Sequence, residues 1–212
     1  MIPQSEHARI AGHIAHSWGN PEFPLPEIDR ERLALGVVLH DRGYPPMDVL
    51  PLGEVEERLW LETRARGVAT RHPDPVVDLV VLAHIRRLVS GRLGVESVAL
   101  LDRIERRIAE RLDECDMSEQ TLDDIDTITR ISDMIALWLS FEADGFAEFS
   151  VYAGWSGGRR SVDVVVRGDG DVGMTPWPLN VPVLTGCAIA YAATGDGAYG
   201  DAALLSYHVH PA

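Results

Sequence analysis

Apolar residues recur with a helical period through the first two thirds of the chain and with a strand-like pattern after about residue 145. Segment 3–17 places Ile10, Ala11 and Ile14 on one stripe together with His7. Segment 29–41 opens at Asp29, a good N-cap, and puts Leu33, Gly36 and Val37 on the face that carries His40. Gly43 stands where a helix C′ residue belongs, and Pro45-Pro46 stop the helix from continuing. A third helix is predicted over 54–66, a fourth from the Asp74-Pro75 cap to about Ser90, and a charged fifth over 96–113. Asp116 with Glu119 reads as a capping-box-like start to a long sixth helix ending near Phe141.

Beyond Gly145 the runs 149–153, 161–167, 183–192 and 203–209 are β-branched or aromatic, separated by Gly, Asp and Pro. Gly157-Gly158 and Gly168-Asp169-Gly170 supply hairpin-turn signals. The predicted fold class is therefore α+β, with a helical domain over 1–145 and a small antiparallel β unit over 146–212 packed on it. Trp177, between Pro176 and Pro178, is the expected buried anchor of that unit.

Composition narrows the function. A net charge of -14 over 212 residues argues against a nucleic-acid backbone as partner. All nineteen Lys+Arg side chains are Arg, which removes a Walker phosphate loop, a Schiff-base enzyme and a lysine base. Cys115 and Cys187 lie in unlike contexts without CxxC spacing, so a reducing cytoplasm is the expected location. The opening MIPQSEHARI has no basic n-region or apolar core, so no signal peptide is expected. The most apolar run, 76–85, is too short for a bilayer and contains Asp78 and His84.

Four ionisable residues break otherwise apolar helical faces: His7, the adjacent pair His40-Asp41, and Asp133, which shares a side with Leu122, Thr129 and Leu137. Burying one such group alone costs several kcal/mol unless it finds a partner. Separate helices turning them toward one interior are most simply explained by a shared metal ion. The alternative for His40-Asp41 is a helix C-cap pair favoured by the dipole. A mixed N/O donor set suits a six-coordinate divalent ion such as Mn, Fe, Co, Ni or Mg better than tetrahedral structural zinc. Asp126 lies on the face of Asp133, as its supporting partner or as a solvated acid.

A His on the first helix, a contiguous His-Asp followed by Gly (HDRG), and a distant helical Asp together resemble the HD-domain superfamily of all-α, metal-dependent phosphohydrolases. The phrases QSEHARIAGHIAHSWG and VVLHDRGY and the later TPWP are similar to an uncharacterised bacterial branch of HD-like proteins. The resemblance implies an HD-like helical core with His7, His40, Asp41 and Asp133 as ligands. Cyclic-dinucleotide phosphodiesterases of that superfamily carry Lys where Tyr44 stands, which counts against such a substrate.

Around that core, His84 on the Val77, Val80, Val81, Leu88 stripe is a candidate general acid or extra ligand, otherwise a satisfied core histidine. Arg42 and Arg87 are candidate phosphate clamps, otherwise ordinary ion-pair arginines. His72 reads as loop, His13 and His16 as exposed, and His208 with His210 as a solvated strand edge. The expected activity is hydrolysis of a small phosphorylated metabolite or nucleotide. The alternatives are an HD-type di-iron oxygenase, for which His72 and His84 would supply the further ligands, and a non-catalytic metal-binding or regulatory protein. The expected partner is a small phosphorylated substrate, with no nucleic acid and no membrane; a homodimer is compatible with the sequence.

Overall fold

In a computed structural model, which describes residues 2–44, 55–154, 158–194 and 199–212, six helices precede five strands. The α+β layout is the one the sequence predicts. Pro45-Pro46, the start of the third expected helix at Glu54, and Gly157 fall outside the described residues. The helices are α1 (Gln4–His16), α2 (Arg30–Val38), α3 (Glu57–Ala69), α4 (Pro75–Val89), α5 (Val95–Cys115) and α6 (Glu119–Ser140). Asp29 caps α2 by accepting from Arg32 N at 3.1 Å, and Asp74 caps α4 through Val76 N at 2.9 Å, with Pro75 at the first helical position. The cap of α6 differs from expectation. Ser118, not Asp116, accepts from Thr121 N at 3.0 Å, while Asp116 terminates α5 in a left-handed conformation.

The helix α2 ends two residues before the His-Asp pair, which therefore lies in the turn that follows. This matters for function. Consecutive residues on an α-helix diverge by ~100°, whereas the turn points His40 and Asp41 toward the same interior. Gly43 makes the turn possible at φ +100°, and a Cβ there would stand 2.7 Å from Thr63 O and 2.8 Å from Gly67 N. A Gly43→Ala substitution is expected to cost about 1–3 kcal/mol, read as a lower urea midpoint. An unchanged midpoint would show that the turn does not rest against α3.

The strands β1 (Gly145–Ala153), β2 (Gly158–Val166), β3 (Asp171–Thr175), β4 (Leu184–Ala193) and β5 (Tyr199–Pro211) form one sheet in the order β1-β2-β3-β5-β4. Three of the neighbouring pairs are antiparallel; β3 with β5 is parallel. Chain 176–183 together with β4 forms the crossover that a parallel pair needs. Segment 177–180 of that crossover is clasped to the end of α1 by Gly19 N to Pro178 O (3.0 Å) and Asn180 N to Ser17 O (2.8 Å). Trp177 is half-buried, less than expected, with its indole N–H on Val181 O at 2.7 Å; Trp18 is the fully buried tryptophan of this junction.

One apolar core runs from α1, α2 and α6 into the sheet, gathering Ile10, Trp18, Leu33, Ile128, Val164 and Tyr207; a second lies between α4 and α5. Edge strand β4 is covered by α1. Arg9 donates to Cys187 O, and Glu6 accepts from Ile189 N at 2.9 Å. Pairing exposed edge groups in this way protects the sheet and fixes the helix that carries His7. Among the described residues no helix is long and apolar enough to cross a membrane.

Candidate metal centre

His7 on α1, His40 and Asp41 in the turn after α2, His84 on α4 and Asp133 on α6 converge in the helical core. Nε2 of His7 is 3.2 Å from Asp133 Oδ1, and Nε2 of His40 is 3.4 Å from the same oxygen and 3.5 Å from Asp41 Oδ2. An octahedral ion with bonds of ~2.1 Å separates adjacent donor atoms by ~3 Å and opposite ones by ~4.2 Å. The spacing found here falls in that range.

The histidines have little else to do. His40 is fully buried, its Nδ1 lies 2.6 Å from the Val37 carbonyl, and its Nε2 has no hydrogen-bond partner. Donation from Nδ1–H to that carbonyl leaves Nε2 as the inward-facing nitrogen, which is how metal-binding imidazoles are oriented. Burial pushes the His40 imidazole down, but the Asp41 and Asp133 carboxylates together outweigh it and hold it at about 9, so a cation binding at Nε2 displaces a proton from it. Burial raises both carboxyls, but His40, His84 and Arg64 beside Asp41, and His40, His7 and His84 beside Asp133, more than offset this and hold each well below the usual carboxylate range. Both are ionised near neutral pH, the state a cation requires.

The surrounding side chains fix the carboxylates. Gln4 donates to Asp41 Oδ2 at 2.6 Å, and Arg64 on α3 pairs with Asp41 Oδ1. The Arg64 guanidinium lies over the Trp60 and Tyr44 rings at 5.1 and 5.2 Å. His84 places Nε2 3.4 Å from Asp41 Oδ1 and Nδ1 3.7 Å from Asp133 Oδ2. Arg87 reaches His84 Nδ1 at 2.9 Å and Asp126 Oδ2 at 3.1 Å. Since a guanidinium can only donate, that nitrogen accepts, and the neutral ring carries its proton on Nε2. Burial lowers the His84 pKa and keeps it neutral at pH 7. A neutral imidazole with its proton on Nε2 is a hydrogen-bond donor toward Asp41 Oδ1.

Two candidates are engaged away from the cluster. Arg42 takes its ion-pair alternative: its Nε donates to Gly67 O at 2.8 Å and its NH2 to Asp78 Oδ1 at 2.6 Å. His72 accepts from Asp74 N at 3.2 Å and belongs to the cap of α4. Of the outlying histidines, His16 is exposed beside Glu31, His208 is exposed, and His210 pairs with Asp171 at 3.0 Å; His13, expected outside, is half-buried with Nδ1 2.7 Å from Tyr207 OH. Sequence reasoning missed Gln4 and Arg64. Arg64 shares the buried face of α3 with Gly67 and Val68, spaced i, i+3 and i+4, which is the signal that could have singled it out.

Fold and site thus define an α+β protein with a cluster of three histidines and two aspartates, His7, His40 and Asp41 overlapping with His40, His84 and Asp133, able to hold a metal ion. The chain belongs to the family described as "protein of unknown function (DUF3891)", whose model matches residues 1–190. No curated protein and no solved structure matches the chain.

Proposed function

We propose that this protein is an HD-like, metal-dependent hydrolase of a small phosphorylated metabolite or nucleotide. The observation that best supports the reading is the meeting of His7, His40, Asp41 and Asp133 around one point beside His84, with His40 Nε2 left without a hydrogen-bond partner. The HD resemblance of the sequence selects the same four residues. Their N/O donor set suits Mn, Fe, Co, Ni or Mg. A divalent ion held there supplies a Lewis acid that makes water a usable nucleophile near neutral pH. The chain's own groups do the positioning. The Val37 carbonyl orients the His40 ring, Gln4 and Arg64 fix Asp41, and Arg87, held by Asp126, presents the partly exposed edge of its guanidinium to an anionic substrate oxygen.

The test is hydrolysis of p-nitrophenyl phosphate before and after chelation and on return of each metal. Activity that disappears with the metal and returns with it is expected. Firm metal binding with no turnover on any phosphoester would favour the non-catalytic reading. That second reading has its own support, because His7 Nε2 and Asp133 Oδ1 are within ordinary hydrogen-bond reach, so the cluster could also serve as a closed polar junction. The di-iron oxygenase is not carried further, since His72, one of its two extra ligands, is engaged at the α4 cap.

In this reading His84 positions Asp41 and is not a ligand. His84→Gln should leave metal content unchanged and lower kcat about 10- to 100-fold, the usual effect of removing a group that orients a ligand. Loss of the ion in that variant would make His84 a ligand instead.

A further inference from the structure

We infer that this centre takes a single ion, and that the guanidinium groups of Arg64 and Arg87 occupy the flank where a second ion would sit. The inference rests on the reading above and specifies the nuclearity of the same site and the side from which an anion enters. Two-metal hydrolases hold their ions about 3.5–4 Å apart and bind both at once. A carboxylate that bridges such a pair through both of its oxygens gives one to each ion. Here the inner oxygens, Asp41 Oδ2 and Asp133 Oδ1, face His7 and His40. The outer oxygens are committed elsewhere. Asp41 Oδ1 pairs with Arg64, and Asp133 Oδ2 has Arg87 NH2 at 3.8 Å and His84 Nδ1 at 3.7 Å.

His84 is the imidazole on that flank, and with Nδ1 accepting from Arg87 its Nε2 bears the proton and has no lone pair to offer. Neither arginine is adventitious there. Arg64 is 6% exposed and braced by Trp60 and Tyr44, and Arg87 is held by Asp126. A dication placed among these groups would meet two fixed positive charges at short range, where the protein interior screens repulsion poorly. The two cations differ in access. Arg64 is enclosed and serves to balance Asp41, whereas the Arg87 side chain is 24% exposed beside Asp133 at 17%. A phosphoryl group entering from that side would reach Arg87 with one oxygen and the ion with another.

The experiment loads the full chain with Mn(II), counts ions per chain, and titrates inorganic phosphate by calorimetry into the wild type, Arg87→Met and Arg87→Lys. The expected result is one ion per chain in the wild type and in both variants. Phosphate affinity should be about tenfold or more weaker in Arg87→Met, as for loss of a charge-assisted hydrogen bond, with a smaller loss in Arg87→Lys. Arg87→Lys keeps the charge and carries the comparison if the Met variant does not fold. Two ions per chain in the wild type, or phosphate binding unchanged in both variants, would overturn the inference while leaving a metal hydrolase standing. A wild-type chain that binds no ion would overturn both.

Discussion

Replacing Asp133 with Ala is expected to strip the centre of its ion and abolish phosphoester hydrolysis. Asp133 Oδ1 is the one atom within 3.4 Å of both His7 Nε2 and His40 Nε2, so its removal takes away a donor and a negative charge together. Losing a group that merely supports a ligand weakens metal affinity ~10- to 100-fold; losing the ligand should exceed the upper end of that range. Asp133→Asn keeps the shape but not the charge, and should retain part of the metal affinity with little activity. Metal content and kcat/KM on p-nitrophenyl phosphate read both effects. An Ala variant that still holds one ion per chain would remove Asp133 from the ligand set.

The largest effect on stability is expected at Asp78, away from the ligands. This fully buried carboxylate accepts from Arg42 NH2 and Arg107 NH2 at 2.6 Å each, Arg111 Nε at 3.0 Å and His72 N at 3.2 Å. It ties together the turn after α2, the loop before α4, and α5. Asp78→Ala leaves three largely buried guanidinium groups without their counter-charge, a loss of about 3–5 kcal/mol. That is a large part of the stability of an ordinary domain. Burial by itself raises the Asp78 carboxyl, but Arg42 first, then His72 N–H and Arg107, more than offset it and hold the pKa below the usual value. A depressed folded-state pKa gives stability that is complete above the unfolded value and is lost as pH falls through the folded one. The wild type should therefore lose stability on acidification below about pH 4, and Asp78→Asn should show a shallower acid dependence. Equal urea midpoints for wild type and Asp78→Asn at both pH 7 and pH 3 would contradict this.

The helices were legible because their ends carry local chemistry. Asp29 and Asp74-Pro75 act where the sequence places them; Gly43 has the positive φ expected of it, but in the turn beyond the Leu39 cap of α2 rather than at the helix C′ position. The four ligand candidates were legible because charge on an apolar face is costly without a partner. What the sequence hid was long-range. Strand β3 is five residues long with Gly173 in its middle, and its parallel pairing with β5 depends on a crossover that no local pattern encodes. Leu137 was expected on the inward face with Asp133 but is 45% exposed, because at that end of α6 the buried face is the one carrying Ile135, Ala136 and Leu139. Arg42 and Arg64 looked alike as charges near a candidate site; only packing shows that Asp78 engages the first and Asp41 the second. The sequence leaves Arg87 and Asp126 open between a site role and an ordinary surface role; that Arg87 ties Asp126 to His84 Nδ1 needed the fold.

The most direct test of the centre is anomalous diffraction from crystals of the protein grown with Mn(II). The account predicts one strong anomalous peak per chain, about 2.0–2.2 Å from His7 Nε2, His40 Nε2, Asp41 Oδ2 and Asp133 Oδ1. A map with no peak between these four side chains at saturating Mn(II), or with the ion held by other residues, would contradict it.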